Sequence, residues 1–458
     1  ENCPYKAEKF LKISLGGYDE GDFAMIMGFP GSTQRYMTSY EIDRLLEVEN
    51  PQRIFIRGER QAILKEDMAA SAKVRIQYAS KYAQSSNYWK NSIGKSRGIR
   101  RLDVKGRKQE QEAAFTAWAA KNTLPTEGYS NALNLIRESV EETAPYFASS
   151  QYLSEAIGRS VEILAPARLA VSKKGGELTE ALKAFYKDYN MPTDRRVAKR
   201  MFRIVGENCK ELPSVFAEVI GKRFGGDTDA YVDYLYDNSV FADERRALAA
   251  AAAGTDVSND PAVLLNKSYT AKMRELAAEQ LAGKRKFADG QRLYIAGLMR
   301  MQPNKAWASD ANFTLRLTYG RVLPYDPADG IHYNYYTTLK GVMEKENPQN
   351  PTEFTVPARL KELYAAKDFG RYANERGELP VAFLADCDIT GGNSGSPVMN
   401  AKGALIGLAF DGNWEAMSGD VAFEPELQRT IAVDVRYVLF VIDKFAGAGW
   451  LLDELQFE

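Results

Sequence analysis

The chain has 458 residues, of which 45% are apolar and 26% charged, and its formal net charge is −1. This length supplies enough apolar material for two or three cores, and the near-zero charge gives no indication of a nucleic-acid or membrane-surface partner. No apolar run approaches the ~20 residues of a membrane-spanning helix. Cys3, Cys209 and Cys387 are too few and too scattered for a metal site or a disulfide framework, so we expect neither a metal nor a cofactor. Whether any two of these cysteines pair is left open.

The first forty residues carry a strand signal. The sequence opens at Glu1 rather than at a methionine, and it shows neither the basic nor the apolar segment of a signal peptide, so we expect it to begin inside a domain. Residues 22–36 favour a strand, a turn at Pro30-Gly31 and a second strand. This pattern predicts a β-hairpin.

From residue 41 to residue 305 the apolar side chains recur at helical spacing among charged ones. We therefore predict an all-α domain over residues 41–305. The expected breaks between its helices lie at residues 123–125, 173–176, 191–192 and 254–261, where glycine and proline cluster.

Strand signals return at about residue 306 and dominate to Val438. Residues 313–319 alternate cleanly between apolar and polar side chains, and residues 404–410 form an apolar run typical of a buried strand. Residues 306–458 are thus predicted to be a β-domain, and residues 430–446 are the candidate for a terminal helix.

Residues 390–397, with the sequence TGGNSGSP, place Ser394 between glycines just before a predicted strand. Gly392 and Gly395 allow a tight turn, so that the backbone amides of Gly392 and Ser394 can converge where an oxyanion would develop. This is the arrangement that a serine nucleophile requires. The alternative is an ordinary glycine-serine turn between two strands.

The sequence after the loop resembles a known family. Residues 411–420 (DGNWEAMSGD), residues 428–440 and residues 87–94 (NYWKNSIG) are similar to the bacterial serine dipeptidyl aminopeptidases of the dipeptidyl-peptidase VII type, and the resemblance spans essentially the whole chain. It implies an α+β protein: a chymotrypsin-like double β-barrel with a large all-α domain. Residues 1–40 would then be the tail of the first barrel, most of which is missing from this sequence, and residues 306–458 would be the second barrel.

The family resemblance also implies an activity and a setting. Such enzymes are serine exopeptidases that release dipeptides from the N-termini of oligopeptides, and they are homodimers of the periplasm or cell surface. The only histidine, His332, lies 62 residues before Ser394, an interval too short to hold two barrels, so it is not favoured as general base. The resemblance places the catalytic histidine and aspartate in an upstream segment, and we expect this chain alone to be inactive. The alternatives are a noncatalytic fragment that binds peptide N-termini and, less favoured, an endopeptidase.

Four further residues receive substrate-binding roles from the resemblance. Asp411 would contact the free amino group of the substrate, and Gly412 would leave an open, uncharged pocket for a hydrophobic penultimate side chain, where the acidic-substrate branch carries arginine. Asn87 and Asn91 share a helix face, and one of them would be a second ligand of the amine. The alternatives are a turn-capping carboxylate at Asp411, a positive φ angle at Gly412 and an exposed polar stripe at the asparagines.

Asp386, Asp388 and Asp411 could together suggest a calcium site. Their spacing lacks the ordered series of oxygen ligands of a calcium loop, which favours a solvated turn or a site carboxylate instead.

Overall fold

The computed structural model describes residues 7–351 and 353–458, so Cys3 lies outside the described residues. The chain divides into two compact units, one comprising residues 1–37, 97–102 and 308–458 and the other residues 38–96 and 103–307. The second range is close to the all-α domain that the apolar periodicity predicts over residues 41–305. No helix in the described part of the chain is long and apolar enough to cross a membrane.

The helical unit contains thirteen α-helices. The C-terminal residues of the third, from Arg97 onward, are assigned to the other unit. The bounds of the helices are α1 Ser39–Arg44, α2 Asn50–Ala70, α3 Ala72–Arg101, α4 Val104–Asn122, α5 Ala132–Tyr152, α6 Leu164–Ser172, α7 Gly175–Lys187, α8 Met191–Asn208, α9 Lys222–Phe224, α10 Thr228–Asn238, α11 Glu244–Ala253, α12 Pro261–Glu279 and α13 Leu281–Met301. Single π-helical turns cover Leu45–Glu49, Leu153–Gly158 and Phe216–Gly221.

The helix boundaries follow local signals. α4 ends and α8 begins at the predicted breaks, and the Asn190 side chain caps α8 by accepting from the Thr193 amide at 3.1 Å. α11 ends at Gly254 with φ 62°, and α12 begins with Pro261 in its first turn, preceded by the capping side chain of Asp260. The main core of the unit is one apolar cluster that includes Leu64, Phe202 and Leu235, all fully buried.

Within its described residues, the other unit contains nine strands and three α-helices. They are β1 Phe23–Gly28, β2 Arg316–Arg321, β3 Tyr325–Ala328, β4 Ile331–Tyr333, β5 Tyr336–Thr338, α14 Leu339–Glu344, α15 Ala358–Ala366, β6 Pro380–Ala385, β7 Pro397–Met399, β8 Leu405–Gly412, β9 Thr430–Asp434 and α16 Val435–Phe440. Seven strands form one antiparallel sheet in the order β2-β1-β7-β8-β9-β6-β5, and β3 pairs with β4.

Six strands of the large sheet close into a barrel. A bridge joins Val322, just after β2, to Ala385 in β6, and the Asp386 amide donates to the Arg321 carbonyl at 3.1 Å. The interior is filled by apolar side chains that are at most 1% exposed, including Ile26, Phe383 and Ile406. A second core, around Leu363 and Phe440, packs α14, α15 and α16. The mixed helical and antiparallel architecture agrees with the predicted α+β class. The described residues form one closed barrel, and the double barrel stays a prediction.

Three expectations need correction. Within residues 1–40, expected to be the tail of a first barrel, β1 does not belong to a separate barrel, because it pairs with both β2 and β7 and is a strand of the same barrel as β8. The predicted hairpin partner at residues 32–36 is not a strand: both edges of β1 are already paired, and the Arg35 amide donates to Asp310 at 2.9 Å instead.

The third correction concerns residues 339–366, where α14 and α15 stand in a region expected to be mostly strand. Both helices are short, at six and nine residues, and so offer little periodicity to detect. Residues 430–446 combine the two predicted states, since β9 leads directly into α16.

Candidate active site

The loop that carries Ser394 connects β6 to β7. Gly392 has φ 109° and Gly395 has φ 86°, conformations that side-chain-bearing residues rarely adopt, so both glycines are required by the local backbone. Asn393, between them, is buried at 3% exposure, and its side chain accepts from the Thr390 amide at 3.2 Å. The loop is therefore a fixed turn that presents the next residue outward.

Ser394 is exposed, and its Oγ donates to the Phe410 carbonyl at 3.5 Å. The backbone amides of Gly392 and Ser394 donate to no acceptor in the described part of the chain. Two unused amides beside an exposed hydroxyl are what an oxyanion site needs, because the developing charge must find donors that are already free.

Two neighbouring segments hold the loop in place. The Gly31 amide donates to the Gly391 carbonyl at 2.6 Å, and the Gly395 amide donates to the Ala409 carbonyl at 2.7 Å. Gly392 lies so close to the end of β1 that an added Cβ would sit 2.5 Å from the Phe29 carbonyl oxygen. β1 and β8 thus fix the loop from both sides.

An ion pair and a hydrogen bond brace the start of the loop. Arg35 Nη2 contacts both carboxylate oxygens of Asp388 at 2.9 Å, and Thr390 Oγ1 donates to Asp420 Oδ1 at 2.6 Å. Burial raises the pKa of Asp388, and the Arg35 guanidinium opposes that rise. Sequence reasoning missed Arg35, Thr390 and Asp420 in this role, because Arg35 and Asp388 are 353 residues apart and nothing local joins them.

Asp411 and Gly412 end β8, as the apolar run before them predicts. A β-bulge lies between Ala409 and Asp411 in the pairing with β9, and the exposed Asp411 carboxylate accepts from the Gly412 amide at 2.8 Å. The alternative of a positive φ angle at Gly412 is wrong, because Gly412 is not among the residues with φ in that range. An added Cβ there would instead lie 2.9 Å from Ala416 Cβ, so space at Gly412 is limited by its own neighbour.

Asn87 and Asn91 lie in the helical unit, four residues apart on α3 as expected. Asn87 is exposed and Asn91 is half-buried. Between them, Trp89 Nε1 donates to the Ile54 carbonyl at 2.9 Å, which fixes α3 against α2. The substrate-binding roles of both asparagines stay predictions.

His332 lies in β4, in the two-stranded sheet with β3. Its Nδ1 is 2.7 Å from Asp326 Oδ1, and both side chains are largely exposed. The Ser394 hydroxyl donates to the Phe410 carbonyl and not to this imidazole.

The three aspartates that suggested calcium have separate partners. Asp386 accepts from the Arg321 amide at 2.6 Å, Asp388 pairs with Arg35, and Asp411 bonds its own neighbour. No group of three or more His, Cys, Asp or Glu side chains in residues 7–351 and 353–458 is placed to hold a metal ion. Cys209 and Cys387 are buried free thiols, and burial raises the pKa of Cys387 to about 12.

Comparison with known proteins gives consistent matches. The family described as Peptidase S46 matches residues 1–457. Dipeptidyl-peptidase 7 of Porphyromonas gingivalis is 46% identical over 100% of this chain and 65% of its own length. The Asp/Glu-specific dipeptidyl-peptidase of the same organism is 40% identical over 99% of this chain and 65% of its own length. The chain thus spans about 65% of the length of these relatives.

A solved structure is also similar. The chain matches Porphyromonas endodontalis DPP11 in complex with the dipeptide Arg-Glu with a TM-score of 0.90 and 37% identity, over 99% of this chain and 67% of that one.

Proposed function

The chain belongs to the peptidase S46 family, and from this membership we propose that it provides the nucleophile of a serine exopeptidase that releases dipeptides from the N-termini of oligopeptides. The observation that carries the proposal is the exposed Ser394 hydroxyl beside the two unused amides of Gly392 and Ser394. The names of the relatives, dipeptidyl-peptidase 7 and Asp/Glu-specific dipeptidyl-peptidase, support the same class of reaction.

The proposed chemistry is acyl transfer. Ser394 Oγ attacks the carbonyl carbon of the second residue while the oxyanion accepts hydrogen bonds from the Gly392 and Ser394 amides. The rest of the peptide leaves as an amine, the dipeptide stays as an ester on Ser394, and water then releases it. The reaction also needs a general base for the Ser394 proton, a role that we assign to no residue of this chain.

We further propose that the Asp411 carboxylate binds the free ammonium group of the substrate. The carboxylate is exposed at the end of β8, the strand whose Phe410 carbonyl accepts from Ser394. A carboxylate in such a position favours substrates whose chain ends there, because an N-terminally blocked peptide would leave it unpaired. For Asn87 and Asn91 a similar contact with the amine stays a prediction from the resemblance.

The relatives carry two kinds of name, so family membership leaves the side-chain preference open. We propose a preference for a hydrophobic penultimate residue, since Gly412 provides no cation to pair with an acidic side chain. The homodimer and the periplasmic or cell-surface location also stay predictions from the resemblance.

The test is dipeptide release from unblocked and N-acetylated oligopeptides, followed by mass spectrometry for the intact gene product and for its Ser394→Ala variant. We expect release from unblocked peptides only, and a loss of several orders of magnitude in the variant. Cleavage of acetylated peptides would favour the endopeptidase. Peptide binding with no hydrolysis, equal in both proteins, would favour the noncatalytic binding fragment.

A further inference from the structure

A cavity of about 460 Å³ lies within the helical unit, a volume typical of small-molecule sites. It is bounded by α2, α3, the segment from Gly158 to Arg168 and the end of α7. Its lining includes five cationic side chains, Arg57, Arg60, Lys81, Arg159 and Arg168, and only two acidic ones, Glu162 and Asp188. The cavity therefore has an excess of positive charge.

Two of the five cations are already paired. Arg57 Nε donates to the buried Glu155 carboxylate at 2.8 Å, and its guanidinium lies 5.0 Å from the centre of the Tyr88 ring. Lys81 Nζ lies 2.5 Å from Glu162 Oε2. Their charges are largely neutralised by these carboxylates, and the two side chains hold few unused donors.

The other three cations have N–H donors without an acceptor among the described residues. Arg60 is only 11% exposed, its nearest carboxylate contact is a 3.6 Å approach to Glu162, and its buried Nε has no hydrogen-bond partner among the described residues. Among the described residues, Arg168 donates only through Nε, to Asn266 at 2.9 Å. Arg159 is exposed, and its side chain makes no hydrogen bond or ion pair within the part of the chain that the structure describes. Buried donors without partners are costly, so a site that keeps them is suited to a ligand that supplies acceptors.

Tyr269 lies beside the segment that carries Arg159 and Arg168. Gly158 lets the Tyr269 hydroxyl approach, since an added Cβ there would meet that oxygen. Burial raises the pKa of Tyr269, and the positive charges of Arg168 and Arg159 both oppose that rise. The Arg168 guanidinium also lies 5.5 Å from the centre of the Tyr269 ring.

We propose that this cavity binds a small multivalent oxyanion, a phosphate ester or a polycarboxylate, through Arg60, Arg159 and Arg168. Guanidinium groups suit such ligands because their planar donors match pairs of oxyanion oxygens. Peptide hydrolysis at Ser394 makes no use of these arginines, so the proposal goes beyond the proposed function and stands independently of it.

Isothermal titration calorimetry of the full chain with pyrophosphate and with citrate, at about 0.1 M salt to screen weak surface contacts, tests the proposal. We expect saturable binding of at least one of them. Higher affinity for pyrophosphate would indicate a phosphate ester as the ligand, and higher affinity for citrate would indicate a polycarboxylate. The absence of saturable binding of both would overturn the proposal.

Three kinds of variant sharpen the test. Arg159→Gln and Arg168→Gln should each weaken binding about tenfold, as expected for loss of a charge-assisted hydrogen bond. Arg196→Gln is the matched control, because Arg196 pairs with Glu66 at 2.6 Å and does not line the cavity. Equal weakening in the control, or no weakening in the first two variants, would overturn the site.

Glu162→Gln should tighten binding, because it removes the carboxylate that competes for Arg60 and Lys81. A purely structural role of these side chains would not produce tighter binding. A Glu162→Gln variant that binds no better than the parent chain contradicts the assignment of Arg60.

Discussion

At Gly392 the backbone is constrained twice, by φ 109° and by the Phe29 carbonyl oxygen 2.5 Å from where a Cβ would stand. We therefore expect Gly392→Ala to shift the loop and misplace an oxyanion donor. Loss of one such donor typically lowers kcat by about 10²–10³-fold. Steady-state kinetics of the intact gene product and its variant on an unblocked dipeptidyl amide measures the effect.

Gly391→Ala is the matched control. Gly391 adjoins Gly392, its φ lies outside the left-handed region, and nothing stands within 4 Å of an added Cβ. It should keep near-parental kinetics. Equal losses in both variants would mean that the loop tolerates no methyl group anywhere, and the oxyanion role of Gly392 would lose its support.

Gly412 is the residue that the specificity proposal depends on. Burying an acidic side chain next to it without a cation is costly, so kcat/KM should favour Leu and Phe over Asp and Glu by about 100-fold. Gly412→Arg should reverse the order, because guanidinium pairs with carboxylate. Since any side chain at 412 meets Ala416, the arginine is best introduced together with Ala416→Gly.

The variants are made in the intact gene product, matched dipeptide amides ending in Leu, Phe, Asp and Glu serve as substrates, and Ala416→Gly alone is the control. A parent enzyme that already prefers Asp or Glu would contradict the proposed pocket. So would a double variant that keeps the preference of the control.

At the scale of elements, one buried carboxylate joins α8 to the turn before α6. Asp194, in the first turn of α8, accepts from the Glu162 amide at 2.7 Å and the Ile163 amide at 2.9 Å. Burial raises the pKa of Asp194, and the negative charge of Glu162 raises it further. The folded state therefore holds this proton more tightly than the unfolded state does.

A raised pKa fixes the sign of the pH effect. The stabilisation from Asp194 should be complete below the ordinary aspartate pKa of about 3.9. It should be lost as the pH rises from there through the raised pKa, at about 1.4 kcal/mol for each pH unit. Urea unfolding of the parent chain and of Asp194→Asn between pH 4 and pH 8 tests this. The advantage of the parent over the variant should shrink with rising pH, and a constant or growing difference would contradict the assignment.

Local chemistry explains which elements could be predicted. The end of α4, the start of α8 and the end of α11 coincide with glycine, proline or capping residues, and the turn around Ser394 coincides with its glycines, so a few neighbouring residues determine them. The pairing of β1 could not be predicted in this way. A strand followed by Pro30-Gly31 has the same local signal whether its partner is the next segment or, as observed, the distant β2 and β7. The contact of Arg35 with Asp388 escaped prediction for the same reason.

At the scale of the whole molecule, the barrel depends on β1, a strand from the N-terminal part of the chain, whereas its other strands follow the helical unit in the sequence. β1 lies between β2 and β7, with six residues in register with β2. Ile26 of β1 is fully buried in the barrel interior, whereas the next residue, Met27, is 43% exposed on the outer face. The apolar cluster around Phe202 belongs to the helical unit alone and does not include either residue.

These positions predict the outcome of a pair of substitutions in the full chain. Ile26→Lys places an unpaired charge in the barrel core and should cost about 4 kcal/mol or more, whereas Met27→Lys should cost less than about 1 kcal/mol, because its side chain can reach water. Calorimetry measures the loss, and far-UV circular dichroism follows the helices. The helical signal should survive in Ile26→Lys at temperatures where the barrel has melted, because the core of the helical unit is built from other residues. Equal stability of the two variants would refute the placement of β1, and simultaneous loss of helix and barrel would show that the two cores unfold as one.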